Sequence, residues 1–77
     1  MAYDYSKLRG KIVEKFGTQS KFSQAIGLSE RSLSLKITSK VPFRQVEISR
    51  CCKLLDIPET EIAEYFFTPK VQSFEQI

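Results

Sequence analysis

The sequence predicts an all-α protein, a compact bundle of about five short helices that contains a helix-turn-helix. Three observations indicate this fold class. Apolar residues recur three and four positions apart along most of the chain. Residues 18–37 divide into two short helical stretches with a glycine between them. The chain has 77 residues, 42% of them hydrophobic, which suffices for one small core.

The first helix is predicted over residues 5–16, where apolar residues recur at helical spacing and end at Phe16. Asp4 precedes this helix and has the side-chain oxygen that a helix cap needs. Gly17 follows it and can adopt the left-handed conformation that ends a helix.

The next two helices form the predicted helix-turn-helix. Thr18 provides a hydroxyl to cap the first of them, and Gly27 is expected to end it. Leu28 follows as an apolar anchor in the turn, and Ser29 is placed to cap the second helix, which runs to about Thr38. Two helices joined by a short turn containing glycine are typical of DNA-binding proteins, because that geometry presents the second helix to the major groove.

Residues 32–38 also fit a strand, because Leu33, Leu35 and Ile37 alternate with polar residues. On a helix, Leu33 and Ile37 lie four positions apart and share one buried face. Leu35 then points away from them, on the same side as Arg31. We favour the helix because it explains both faces, and the strand remains the alternative.

A loop is predicted over residues 39–43, followed by a fourth helix over residues 44–55 and a fifth that starts at Pro58. The inward positions of the last two helices are Ile48, Cys51, Cys52, Leu55, Ile62, Tyr65 and Phe66. Residues 1–67 form the predicted helix-turn-helix domain, and residues 68–77 form a C-terminal tail that is extended or binds a partner.

Five residues of the motif stand where phage repressors and Cro-type helix-turn-helix proteins carry the same or similar residues: Gln19, Gly27, Leu28, Ser29 and Leu33. Over roughly residues 5–67 the chain therefore resembles that family, and in particular its small prophage-encoded members. Two positions depart from the family pattern: Ser23 stands where alanine is usual, and Lys36 stands where a bulky apolar residue is usual. The resemblance implies a lambda-repressor-like fold and a sequence-specific transcriptional regulator of phage repressor or Cro type, with the second motif helix in the major groove.

Side-chain chemistry assigns roles to the outer face of the second motif helix. The expected base contacts are Glu30, Arg31, Ser34, Leu35 and Thr38. Arg31 can donate two hydrogen bonds to guanine, and Leu35 can contact a thymine methyl group. Glu30 either accepts from a cytosine amino group or only stabilises the start of the helix.

A second group of residues is expected to position the protein on the DNA backbone. These phosphate contacts are Gln19, Lys21, Lys36, Lys40 and Arg44. Gln19 opens the first motif helix, where free N–H groups and the helix dipole favour an anion. The four cations are mobile groups near the same face, and plain solubility is the alternative for each. The residues expected to hold the motif together are Phe22, Ser23, Ile26, Gly27, Leu28, Leu33 and Ile37.

Charge is distributed unevenly along the chain. Residues 1–53 contain eleven Lys and Arg against four Asp and Glu, a net charge of +7. Residues 54–77 contain one Lys against five Asp and Glu, a net charge of −4. The basic part suits DNA phosphates, whereas the acidic part is expected to face solvent or a partner protein.

The sequence contains no pattern that is typical of catalysis or metal binding. It has no histidine, no glycine-rich phosphate loop and no paired carboxylates, so neither an enzyme nor a cofactor is expected. Cys51 and Cys52 are adjacent, which fits neither a disulfide framework nor the usual zinc spacing. We expect them to be core thiols in a reducing cytoplasm. No apolar run reaches the length of a membrane span.

The sequence therefore favours a regulator that binds a double-stranded DNA operator as a homodimer, in the cytoplasm of a bacterial host and associated with its nucleoid. Two alternatives remain. One is a protein-binding modulator of another repressor, which the acidic end and three apolar residues of the tail would suit: Val71, Phe74 and Ile77. The other is a DNA-bending or recombination accessory factor.

Overall fold

The computed structural model describes residues 3–70. They form five α-helices and one 3₁₀ turn, which are α1 (Ser6–Phe16), α2 (Gln19–Ile26), α3 (Glu30–Ile37), α4 (Gln45–Leu55), the 3₁₀ turn (Glu59–Glu61) and α5 (Ile62–Phe66). Within this range an isolated antiparallel bridge between Tyr3 and Pro69 is the only strand-type pairing. The predicted all-α fold with five helices is confirmed. None of the helices in residues 3–70 has the length and hydropathy that a membrane crossing requires.

The motif helices begin and end where capping chemistry predicts. The Thr18 hydroxyl accepts from the N–H of Lys21 at 3.1 Å, and the Ser29 hydroxyl accepts from the N–H of Ser32 at 3.1 Å. Gly27 ends α2 in the left-handed conformation, with φ of 82°. Each of these residues satisfies backbone groups that a helix end leaves free.

The fifth helix, predicted to start at Pro58, begins as a 3₁₀ turn at Glu59 and becomes α-helical only at Ile62. The first and fourth helices begin one residue later than predicted. The Asp4 carboxylate accepts from the N–H of Ser6 at 2.8 Å, although Tyr5 is the N-cap of α1. Arg44 is the N-cap of α4, and its N–H donates to Glu47 Oε1 at 2.8 Å. These shifts of one residue leave the buried face of each helix unchanged.

All five helices contribute to one core. Its largest fully buried side chains are Leu8, Ile12, Phe22, Ile26, Leu33, Cys51, Leu55 and Phe66. Phe43, in the loop before α4, packs edge-on against the rings of Tyr5 and Phe66, with centroid distances of 5.2 and 5.4 Å. Burial of this apolar surface is the main driving force for the fold.

The strand alternative for residues 32–38 is wrong. α3 covers most of this segment, with Leu33 and Ile37 buried on its inner face and Leu35 partly exposed. The helix satisfies its own backbone hydrogen bonds, whereas a strand here would have no partner strand within residues 3–70.

The two ends of the described chain lie together. The N–H of Asp4 donates to the carbonyl of Thr68 at 2.8 Å, next to the bridge between Tyr3 and Pro69. The first residues of the predicted tail therefore pack on the domain itself. The apolar tail residues Val71, Phe74 and Ile77 lie outside the described residues, and the prediction for them stays a prediction.

Candidate functional site

α2 and α3 are joined by the turn at residues 27–29 and form a helix-turn-helix. One face of α3 is accessible to solvent and carries all five predicted base contacts. Glu30, Arg31, Ser34 and Thr38 are exposed, and Leu35 is partly exposed. Arg31, Ser34, Leu35 and Thr38 are three or four positions apart, so they lie on one side of the helix, opposite its buried side chains.

The charges at the start of this face have no counter-ion within residues 3–70. Glu30 and Arg31 take part in none of the ion pairs of the described chain. Thr38 already has a local partner, because its hydroxyl donates to the carbonyl of Ser34 at 2.8 Å. Glu30 and Arg31 are therefore the two charged members of this set that belong to no ion pair within residues 3–70.

Three of the predicted phosphate contacts are exposed cations without a carboxylate partner in the described chain: Lys21, Lys40 and Arg44. Gln19, the first residue of α2, is partly buried. Lys40 lies three residues after the end of α3, and its N–H donates to the carbonyl of Leu35 at 2.9 Å. This hydrogen bond holds the start of the loop against the end of α3.

The prediction that Lys36 contacts a DNA phosphate is wrong, because the Lys36 side chain is buried. Its side chain shares the inner side of α3 with Leu33 and Ile37 and is only 8% exposed. The ammonium Nζ lies 2.9 Å from Glu47 Oε1 and donates to the carbonyl of Pro42 at 3.1 Å. Lys36 stands at a motif position where an apolar residue is usual, and its place on the inner side of the helix directs its side chain away from the DNA-facing side.

Glu47 is a residue of this region that the sequence prediction missed. Its buried Oε1 accepts from the N–H of Arg44 and from the Lys36 ammonium. Burial raises the pKa of Glu47, but these hydrogen bonds and the two positive charges outweigh burial, so the pKa lies below its ordinary value of 4.5. A sequence signal existed, because a lysine in an apolar position of the motif needs a carboxylate nearby.

The interior of the motif is formed by the residues predicted for it. Phe22, Ser23, Ile26, Leu33 and Ile37 are buried, Leu28 is partly buried, and Gly27 lies in the turn. The Ser23 hydroxyl donates to the carbonyl of Ser20 at 2.7 Å. A serine at position 23, in place of the usual alanine, is therefore buried without an unsatisfied hydroxyl group.

A second surface is a groove between α4, the 3₁₀ turn and α5, with a volume of about 490 Å³. Its mostly apolar lining consists of Gln45, Ile48, Ser49, Cys52, Lys53, Ile57, Glu59, Ile62 and Phe67. Phe67 is 48% exposed, which is unusual for a large aromatic ring. Glu59 at the rim and Glu61 in the same turn belong to none of the ion pairs of residues 3–70. The sequence predicted the acidic end of the chain but not this groove.

The two cysteines are not activated. Cys51 is fully buried, and burial, with smaller effects of Cys52 and Glu47, raises the pKa of its thiol to about 12. Burial also raises the pKa of Cys52, at the groove. Neither thiol has the lowered pKa of a nucleophile or metal ligand. Over residues 3–70, no group of three or more His, Cys, Asp or Glu side chains is arranged to hold a metal ion.

Sequence and fold both match known proteins. A family model described as "Protein of unknown function (DUF739)" matches residues 1–69, and the chain belongs to this family. The fold is similar to the solution structure of the modulator of repression of the temperate bacteriophage TP901-1 from Lactococcus lactis, with a TM-score of 0.77. The two sequences are 49% identical, and the match covers 94% of this chain and 97% of the other. No curated protein sequence matches the chain.

These matches correct the family resemblance in part. They support a relation to a small phage protein that is connected with repression. Neither match places the chain among the repressors or the Cro proteins.

Proposed function

We propose that this member of the DUF739 family is a modulator of repression, a small protein that binds a phage repressor and changes its action on DNA. One observation carries the proposal, namely 49% identity to the modulator of repression of phage TP901-1 over 94% of this chain. A shared fold alone would not indicate a shared activity. Identity of 49% over nearly the whole chain supports a shared activity in addition to the shared fold.

The groove between α4 and α5 supports a protein partner. It combines an apolar floor with the half-exposed ring of Phe67, and protein interfaces have such aromatic residues at their centres. Its lining contains Glu59 and Lys53, and Glu59 belongs to none of the ion pairs of residues 3–70, while residues 54–77 as a whole carry a net charge of −4. A repressor exposes a basic surface to DNA, so its charge is complementary to this end of the molecule. The repressor is therefore the partner that we assign to the groove.

The test combines the purified chain with the repressor of the same phage and its operator DNA. We expect a stable complex of the two proteins in size-exclusion chromatography. The chain should also change the mobility of the repressor–operator complex in a gel-shift assay, and the chain alone should leave the operator unshifted. The proposal is wrong if the chain alone shifts the operator and forms no complex with the repressor.

A second candidate function is favoured by the exposed face of α3 and the unpaired cations Lys21, Lys40 and Arg44. These features suit a Cro-type regulator that binds an operator as a homodimer. If about six phosphates are neutralised per dimer, log K should fall against log salt with a slope of about −5. Analytical ultracentrifugation with and without DNA would measure the homodimer. A large bend angle in the bound DNA would instead indicate the DNA-bending or recombination factor.

All of these functions would operate in the cytoplasm of the bacterial host, without catalysis and without a cofactor.

A further inference from the structure

The buried ion pair between α3 and α4 also bonds to the loop that connects these helices. Lys36 Nζ donates to the carbonyl of Pro42 at 3.1 Å. Glu47 Oε1 accepts from the N–H of Arg44 at 2.8 Å. The pair therefore binds the loop backbone on both sides of Phe43, whose ring packs in the core.

The other end of the loop is also fixed by specific contacts. The N–H groups of Lys40 and Val41 both donate to the carbonyl of Leu35, at 2.9 and 3.2 Å. Ser39 has a left-handed backbone with φ of 65°, and its hydroxyl accepts from the N–H of Tyr3 at 3.0 Å. A serine holds this conformation only where surrounding contacts require it. The loop therefore has one defined shape.

Stability alone does not account for a charged pair at this position. Two buried charges lose their hydration, and replacing such a pair by apolar residues of similar volume is often neutral or stabilising. An apolar pair would, however, leave the Pro42 carbonyl and the Arg44 N–H without their present partners. What the charged pair provides, and an apolar pair does not, is a set of hydrogen bonds to the loop.

We infer that the Lys36–Glu47 pair is a clasp that positions the loop of residues 38–44, and with it the backbone that carries the exposed cations Lys40 and Arg44. Both residues are positioning residues, since neither side chain reaches the surface. The inference concerns the shape of this surface and goes beyond the proposed function. It holds independently of which molecule binds there.

The test is amide hydrogen exchange, measured by NMR on the full chain. The variant K36M/E47L removes both charges and keeps apolar volume in the core. Lys40 and Val41 are the reporters, because their N–H groups bond to Leu35 and not to the pair. We expect exchange at these two amides to become at least about tenfold faster, while the slowest core amides and the melting temperature change little.

The matched control is K7M/E64L, which removes an exposed ion pair between α1 and α5. It should leave exchange at Lys40 and Val41 unchanged. Exchange in K36M/E47L as slow as in the unmodified chain would overturn the inference. If the first variant does not fold, the test uses a second variant, K36M/E47Q. Its glutamine keeps a side-chain oxygen that can accept from the Arg44 N–H. Loss of the fold in both variants would show that the pair stabilises the core, which also overturns the inference.

Discussion

The exposed face of α3 and the groove between α4 and α5 are built in different ways. The α3 face belongs to one helix, is mostly polar, and carries Arg31, which belongs to none of the ion pairs of residues 3–70. The groove is formed where three elements pack together, and its mostly apolar lining includes one carboxylate, Glu59, and one cation, Lys53. One small domain thus offers a surface suited to DNA and another suited to protein. A helix-turn-helix alone therefore does not establish that DNA is the ligand.

Glu47→Ala should have the largest effect on stability. It removes the partner of Lys36 on the inner side of α3 and leaves the Lys36 ammonium buried without a counter-ion. We expect the free energy of unfolding, measured by urea denaturation, to fall by about 3 kcal/mol. The control is Glu59→Ala, the same change at the exposed rim of the groove, which should cost less than about 0.5 kcal/mol. Equal losses of stability in the two variants would contradict the conclusion that the buried carboxylate of Glu47 matters more to the fold than an exposed carboxylate at the groove.

The same carboxylate makes the α3 side sensitive to pH. The pKa of Glu47 is lower in the folded chain than its ordinary value of 4.5. The Glu47 carboxylate therefore stabilises the fold fully above pH 4.5, and this stabilisation is lost as the pH falls through the folded pKa. Between pH 7 and pH 3 the unmodified chain should therefore lose more thermal stability than K36M/E47L. Parallel profiles of the two proteins would contradict this prediction.

Phe67→Ala and Arg31→Ala separate the two surfaces by function. If the repressor binds at the groove, Phe67→Ala should weaken that complex by about 2 kcal/mol, and Arg31→Ala should leave it within about twofold. Isothermal titration calorimetry measures both. If operator DNA is the ligand, the order reverses, and Arg31→Ala should cost about 1–3 kcal/mol in specific binding. Equal effects of both variants on one ligand would mean that neither surface acts alone.

Ser29→Ala removes the cap on which the α3 face depends. We expect a loss of about 1 kcal/mol in the free energy of unfolding. Ser34→Ala is the control on the same helix, because Ser34 is exposed and its hydroxyl caps nothing. The control should be neutral or slightly stabilising, since alanine favours the helix. A cap variant as stable as the control would show that packing against α2 alone maintains α3.

Lys15→Met should have the smallest effect. Lys15 forms an exposed ion pair with Asp56, with 3.4 Å between Nζ and Oδ2, and neither residue belongs to the α3 face or to the groove lining. Its loss should lower the free energy of unfolding by less than about 0.5 kcal/mol, and high salt should remove the difference. A larger loss would mean that the contact between α1 and the end of α4 contributes more to the stability of the fold than its exposure to solvent indicates.

Local chemistry made the helices predictable from the sequence. Thr18, Gly27 and Ser29 each act within a few residues of their own position, so the ends of α2 and α3 could be assigned without knowledge of the fold. The Lys36–Glu47 pair could not be assigned in this way, because it requires α3 and α4 to pack at a particular distance. The groove escaped prediction for the same reason, since its lining extends from residue 45 to residue 67. The motif residues indicated a phage protein, whereas the choice between DNA and a repressor as partner depends on surfaces that form only after packing.

The junction between the first and last described residues has a consequence for the synthesis of the protein. α1 is made first, yet Tyr5 packs against Phe66, and Asp4 bonds to Thr68. The core therefore cannot close until the segment around Thr68 has left the ribosome. Until then α1, α2 and α4 expose apolar faces to solvent and to any chaperone that binds them. We therefore expect the domain to become resistant to proteases only after its last helix has emerged.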